Sequence, residues 1–172
     1  LFQRAFHTRC SLFYSGSRSP LNDRTPDSIL APWLESTAPE AIWVVGREVP
    51  PVVSDYQAHC LNQVQVMNPK AIQSATQLPN AALIADPIQT PEDLLTLGQV
   101  RNLLIPEILC FVSESIESEA LYALAFKRGE HCRQKQTTLL SFHYSLATYN
   151  HTRAWNNPKF WANPENWNKY WW

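Results

Sequence analysis

The apolar residues of this chain fall into short unbroken runs of strand length. Ala41-Ile42-Trp43-Val44-Val45 is the first, ended by Gly46. It does not alternate with polar residues, so both faces should be covered, as in a parallel sheet sandwiched by helices. Val64-Gln65-Val66-Met67, Ala81-Ala82-Leu83-Ile84-Ala85 and Ile108-Leu109-Cys110-Phe111-Val112 predict three further strands. Before the first lies Asp27-Ser28-Ile29-Leu30-Ala31-Pro32-Trp33-Leu34, which predicts a short helix over 27–36 with Trp33 and Leu34 docked on the core.

The connecting segments carry helical punctuation. Thr90 can cap a helix with Pro91 at its first position, where the missing N–H costs nothing, and Glu92 and Asp93 suit the positive end of the helix dipole. Leu94, Leu97, Val100 and Leu104 then recur at helical spacing, Leu95 and Leu103 widen the apolar face, and Pro106 follows the end. A second helix is expected from about Glu117 to Arg128, with Leu121, Leu124 and Ala125 on one face and Gly129 as its left-handed stop. A longer strand is then expected from Thr137 to Leu146, where Leu140, Phe142, Tyr144 and Leu146 alternate, as in a strand half-exposed to solvent and added antiparallel near the end of the sheet. Strand and helix in regular order imply right-handed crossovers. The expected fold is α/β: a single open, mostly parallel twisted sheet with helices on both faces and an antiparallel C-terminal hairpin.

Composition narrows the chemistry. Only four glycines occur among 172 residues, and Gly16, Gly46, Gly98 and Gly129 each stand alone. The glycine-rich loops that cradle dinucleotides and phosphates are therefore absent, since they need clustered glycines for a tight turn and close backbone approach. A net charge of −1 argues against a general nucleic-acid binder, which needs clustered basic charge. Cys10, Cys60, Cys110 and Cys132 form no C-x-x-C pair, and read as reduced thiols of a cytoplasmic protein with no metal site. The longest apolar stretch, Leu94 to Val112, is broken by Gln99, Arg101, Asn102, Pro106 and Glu107, so no membrane span is expected.

The two ends differ from the body. Residues 1–20 hold Arg4, Arg9 and Arg18 and no acid, leaving a net −4 for the rest. We read residues 1–25 as a poorly ordered head, foreign to the fold, with Leu21 as the expected native start, and residues 26–150 as the α/β domain. Five of the seven tryptophans lie between Trp155 and Trp172. Asn157-Pro158 and Asn163-Pro164 each pair a capping Asn with a first-position Pro, three residues ahead of Trp161 and Trp167. Residues 151–172 therefore read as a Trp-rich clasp that lays its indoles on the domain. A base- or sugar-stacking platform is the weaker alternative.

The run from Leu94 to Val112 resembles the fourth-helix-to-fifth-strand unit of class I S-adenosylmethionine-dependent methyltransferases, and the helix ending at Gly129, followed by strands at about Glu130–Gln134 and Thr137–Ser145, resembles the antiparallel hairpin that closes that fold. The likeness covers about residues 38–148. Together with the tail from Trp155 to Trp167, the chain resembles a small family of gammaproteobacterial proteins with a methyltransferase-like core, a Trp/Asn-Pro ending and no assigned activity. The resemblance implies S-adenosylmethionine as cofactor, gripped by a glycine-rich turn after the first strand and by an acidic residue ending the second. Here that turn is Val45-Gly46-Arg47-Glu48-Val49-Pro50-Pro51, and the second strand ends in Asn68-Pro69. Asn80 stands where the pattern often has Asp near the third strand, and Asp86 comes at that strand's far end.

In open α/β sheets ligands sit outside the carboxyl ends of the strands, at the switch in strand order. That rim should carry Gly46, Arg47, Glu48, Asn68, Asp86, Ser113 and Glu114. Arg47 and Glu48 read equally as a solvated surface pair, Asp86-Pro87 as a turn, and Glu114 as a helix cap. His143, among Phe142 and Tyr144, reads as a structural histidine. The departures favour a methyltransferase-like fold without a cofactor, degenerate at its turn and acting in binding or regulation on a small molecule or a protein. The alternative is a divergent S-adenosylmethionine-dependent methyltransferase.

Overall fold

The computed structural model describes residues 24–60, 63–75 and 77–149. The expected start at Leu21, all of the head but Arg24 and Thr25, and the expected clasp lie outside the described residues. Helix α1 (Pro26–Thr37) begins where the Thr25 hydroxyl accepts the Ser28 N–H at 3.4 Å, with Pro26 at the first position, and it ends at Ala38 in the left-handed region. Strand β1 (Ala41–Val45), helix α2 (Pro51–Cys60) and strand β2 (Gln63–Met67) follow, then a 3-10 helix over Pro69–Ser74 and strand β3 (Ala81–Ile88). Helix α3 (Pro91–Asn102), strand β4 (Glu107–Ser113), helix α4 (Ser118–Ala123), strands β5 (Lys127–Gln134) and β6 (Thr137–Ser145) and a last turn, α5 (Leu146–Tyr149), complete the order. No helix among the described residues is long and apolar enough to cross a membrane.

The strands form one open six-stranded sheet in the order β2-β1-β3-β4-β6-β5. The pairs β1–β2, β1–β3 and β3–β4 are parallel, whereas β4–β6 and β5–β6 are antiparallel. The expected hairpin is present, but the sheet is mixed rather than mostly parallel. Alternate residues of β1 feed two apolar layers. Trp43 and Val45 face a cluster with Leu97 and Val100 of α3 and Leu121 of α4, while Ile42 and Val44 face Leu30 and Leu34 of α1 and Val53 and Tyr56 of α2. Helices therefore cover both faces, which accounts for the unbroken apolar runs.

Four local expectations are corrected. The helix expected to run to Arg128 stops at Ala123, and the left-handed residue after it is Ala125 (φ 66°), not Gly129. Gly129 instead sits in β5 at a bulge between Arg128 and His131, where a Cβ would stand 2.5 Å from Ser141 Oγ. Ser141 Oγ accepts the Glu130 N–H at 2.8 Å and donates to the Glu130 carbonyl at 3.0 Å, fixing the bulge. Strand β6 is not half-exposed: Leu139 through Phe142 are all buried, and the exposed strand of the hairpin is β5, whose only buried residue is Cys132. Leu103 packs on the core as expected, but Leu95 does not widen the apolar face of α3, being 69% exposed, and Leu104 does not continue it, being 57% exposed because α3 closes at Asn102. Asp86-Pro87 lies inside β3, which runs to Ile88, rather than in a turn.

Candidate functional site

The chain leaves β1 for β2 on one side and returns to β3 on the other, so the switch in strand order lies between the carboxyl ends of β1 and β3. Gly46 and Arg47 follow β1 there, facing Ala85 and Asp86 of β3. A Cβ on Gly46 would stand 3.0 Å from Ala85 Cβ and 3.2 Å from the Asp86 nitrogen. Its φ is not positive, so the position needs a residue without a side chain for close approach rather than for a tight turn. Asp86 Oδ2 accepts from the Arg47 backbone N–H at 3.3 Å and from Arg47 Nε at 3.2 Å. The Arg47 side chain is 87% exposed, so this ion pair contributes little energy, but it ties the two strand ends together.

The remaining rim residues turn elsewhere. Asn68 Oδ1 accepts the Lys70 N–H at 3.0 Å, capping the 3-10 helix with its one amide oxygen. Ser113 Oγ accepts from the Ser115 hydroxyl at 3.1 Å and from its N–H at 3.4 Å. Glu114 lies 3.8 Å from His131 Nδ1 of β5, and the cap position of α4 belongs to Glu117. Asn80 sits at the opposite, amino edge, where its Oδ1 accepts the Ala41 N–H at 3.1 Å.

Two adjoining cavities open beside the tied strand ends, on the α1 and α2 face. The smaller, about 240 Å³, has Leu30, Leu83 and Phe111 as its floor and Val49, Pro50 and Pro51 along one wall. Asp27, Glu48 and Asp86 supply its carboxylates. The larger, about 470 Å³, runs from Arg47 and Gln89 to Gln134, Lys135 and Thr137. The two share Glu48, Ala85, Asp86, Pro87 and Gln134, and so form one cleft. Gly46 adjoins it, Arg47, Glu48 and Asp86 line it, and Asn68 and Ser113 do not.

Sequence reading missed Asp27, Gln134 and Lys135. The hairpin itself was legible, and antiparallel pairing of Ser113 with Leu139 carries its turn back to the carboxyl edge of the sheet. Lys135, at φ 56°, makes that turn. Among the described residues Thr137 is the one hydroxyl lining the cleft, and no described histidine or cysteine lines its walls. The lining therefore offers carboxylates, amides and cations for binding, without a nucleophile beside a base. Groups with displaced titration lie away from it. Burial pushes the His143 pKa down, Lys127 adds to that effect and Glu107 opposes it. Burial pushes the Cys132 thiol up to about 11 and the Cys110 thiol higher still. No group of three or more potential metal ligands forms among the described residues.

A search of curated proteins finds no match. Residues 24–172 match a family of unknown function, DUF6231, and the chain belongs to that family.

Proposed function

We propose that the chain is a methyltransferase-like α/β domain whose cofactor turn has closed and which acts as a binding or regulatory module. A parallel sheet finished by an antiparallel hairpin suits the methyltransferase-like reading. The observation that carries the functional part is the contact between Gly46 and Asp86. The backbone on which the cofactor's methionine moiety would lie is pressed against Ala85 and held there by the Asp86 carboxylate on Arg47. Asn68, where a ribose-binding acid would stand, is occupied as a cap. What stays open is the cleft alongside, whose lining favours recognition over group transfer.

Calorimetric titration with S-adenosylmethionine and S-adenosylhomocysteine tests this reading. The expected result is no heat up to millimolar ligand. Micromolar binding of either would overturn it and restore the divergent methyltransferase.

A further inference from the structure

The two ends of the cleft differ in charge. At the inner end, Asp27, Glu48 and Asp86 stand above the apolar floor of Leu30, Leu83 and Phe111, and among the described residues no cationic side chain lines that wall. The outer end shares Glu48 and Asp86 with the inner one and adds two cations, Arg47, paired with Asp86, and Lys135, beside Gln89, Gln134 and Thr137. The ion pairs among the described residues are Arg24–Glu130, Arg47–Asp86 and His131–Glu114. Asp27, Glu48 and Lys135 join none of them. Asp27 has a structural role in the first turn of α1, where a carboxylate complements the helix dipole. Glu48 and Lys135 have no such role among the described residues, yet both line a cleft with an apolar floor.

We infer that this cleft takes a zwitterionic, peptide-like ligand, with its ammonium group at the Glu48 and Asp27 end and its carboxylate at the Lys135 and Arg47 end. The inference rests on the reading of the cleft as a binding site. An ammonium group supplies the donors that unpaired carboxylates lack, and a carboxylate accepts from the lysine and the flanking amides. An aliphatic first side chain packs against the half-buried Val49 and Pro50 of the wall and removes their apolar surface from water. An extended dipeptide, at about 3.5 Å per residue, places its charges about 7 Å apart, a span suited to a cleft of this size.

The test is a protein NMR titration with Leu-Gly, its N-acetyl derivative and its C-terminal amide, followed at the amides of Ala85, Gln134 and Thr137. Leu-Gly is expected to give saturable shifts, and blocking either end to weaken binding about two- to fivefold, the range of exposed ion pairs. Glu48→Gln should lose the same factor for Leu-Gly and nothing further for the acetylated peptide. Lys135→Asn, which suits the left-handed turn, should behave likewise toward the amide. Absence of saturable shifts up to the solubility of Leu-Gly, or binding indifferent to both end groups, would overturn the inference. S-adenosylmethionine titrated into the same sample separates the two claims, because its binding sinks the closed-turn reading whatever Leu-Gly does.

Discussion

Two glycines with opposite surroundings give stability predictions of opposite sign. Gly129 faces Ser141 across the bulge, and any side chain there meets Oγ at 2.5 Å and the Ser141 carbonyl at 3.3 Å. The hydroxyl cannot turn away without abandoning the Glu130 N–H and carbonyl that it serves. Gly129→Ala should therefore destabilise the protein by about 1–3 kcal/mol, as overpacking does, and lower Tm in a thermal melt. Gly98 lies inside α3 with nothing within 4 Å of where a Cβ would stand. Gly98→Ala removes backbone freedom from the unfolded chain at no steric cost, and should stabilise by about 0.5–1 kcal/mol. A Gly98→Ala protein that melts lower than the parent would contradict this account of α3.

Helix α3 shows how a locally coded element behaves. The Thr90 hydroxyl accepts the Asp93 N–H at 3.3 Å, as its place as a cap predicts, and Asp93, expected only to suit the helix dipole, closes a reciprocal box in which its Oδ2 accepts the Thr90 N–H at 2.9 Å. Burial raises the Asp93 pKa, but the hydrogen bonds from the backbone of Gln89 and Thr90 and from the Thr90 hydroxyl outweigh it, and the carboxyl ends below its ordinary value. Because the folded pKa is depressed, this contribution is present above the ordinary carboxylate range and is lost as pH falls through the folded value. Asp93→Asn should therefore cost stability at neutral pH, where the carboxylate contribution is present, and progressively less as pH falls, so that the acid limb of stability against pH flattens; Thr90→Ala should cost about 1 kcal/mol by denaturant unfolding. Signals confined to a few residues, such as this cap or the doubly covered run of β1, were legible. The segment from Lys127 to Gly129 was not, because basic residues followed by glycine fit a helix end and an edge strand equally well. Pairing with β6 decided for the strand. The burial of β6 was hidden for a related reason: its exposure depends on β5 standing outside it.

At the scale of the whole molecule, the sequence placed Gly46, Arg47, Glu48 and Asp86 on one edge because the strand order of an open sheet dictates it. It could not bring Asp27 or Lys135 there, since those arrive through helix packing and an antiparallel return. The same two-layered packing places Cys110 in one core cluster and Cys132 in the other, on opposite faces of the sheet. Each thus reports on its own layer. Cys132 lies on the edge strand, whose Arg133 N–H bonds the Arg24 carbonyl at 2.7 Å just ahead of α1. Release of that short segment exposes it. Cys110 lies on β4, between β3 and β6, and is reached only when the sheet itself comes apart. With a thiol pKa of about 11, Cys132 offers about one thiolate in a thousand at pH 8 even before protection by burial. In a protein with Cys10 and Cys60 replaced by serine, a thiol reagent should therefore label Cys132 slowly, through local opening with little urea dependence. Cys110 should follow only at the free energy and urea slope of global unfolding. Labelling of Cys110 first, or of both thiols with one shared global slope, would mean that the α1 layer and the sheet open as a single unit.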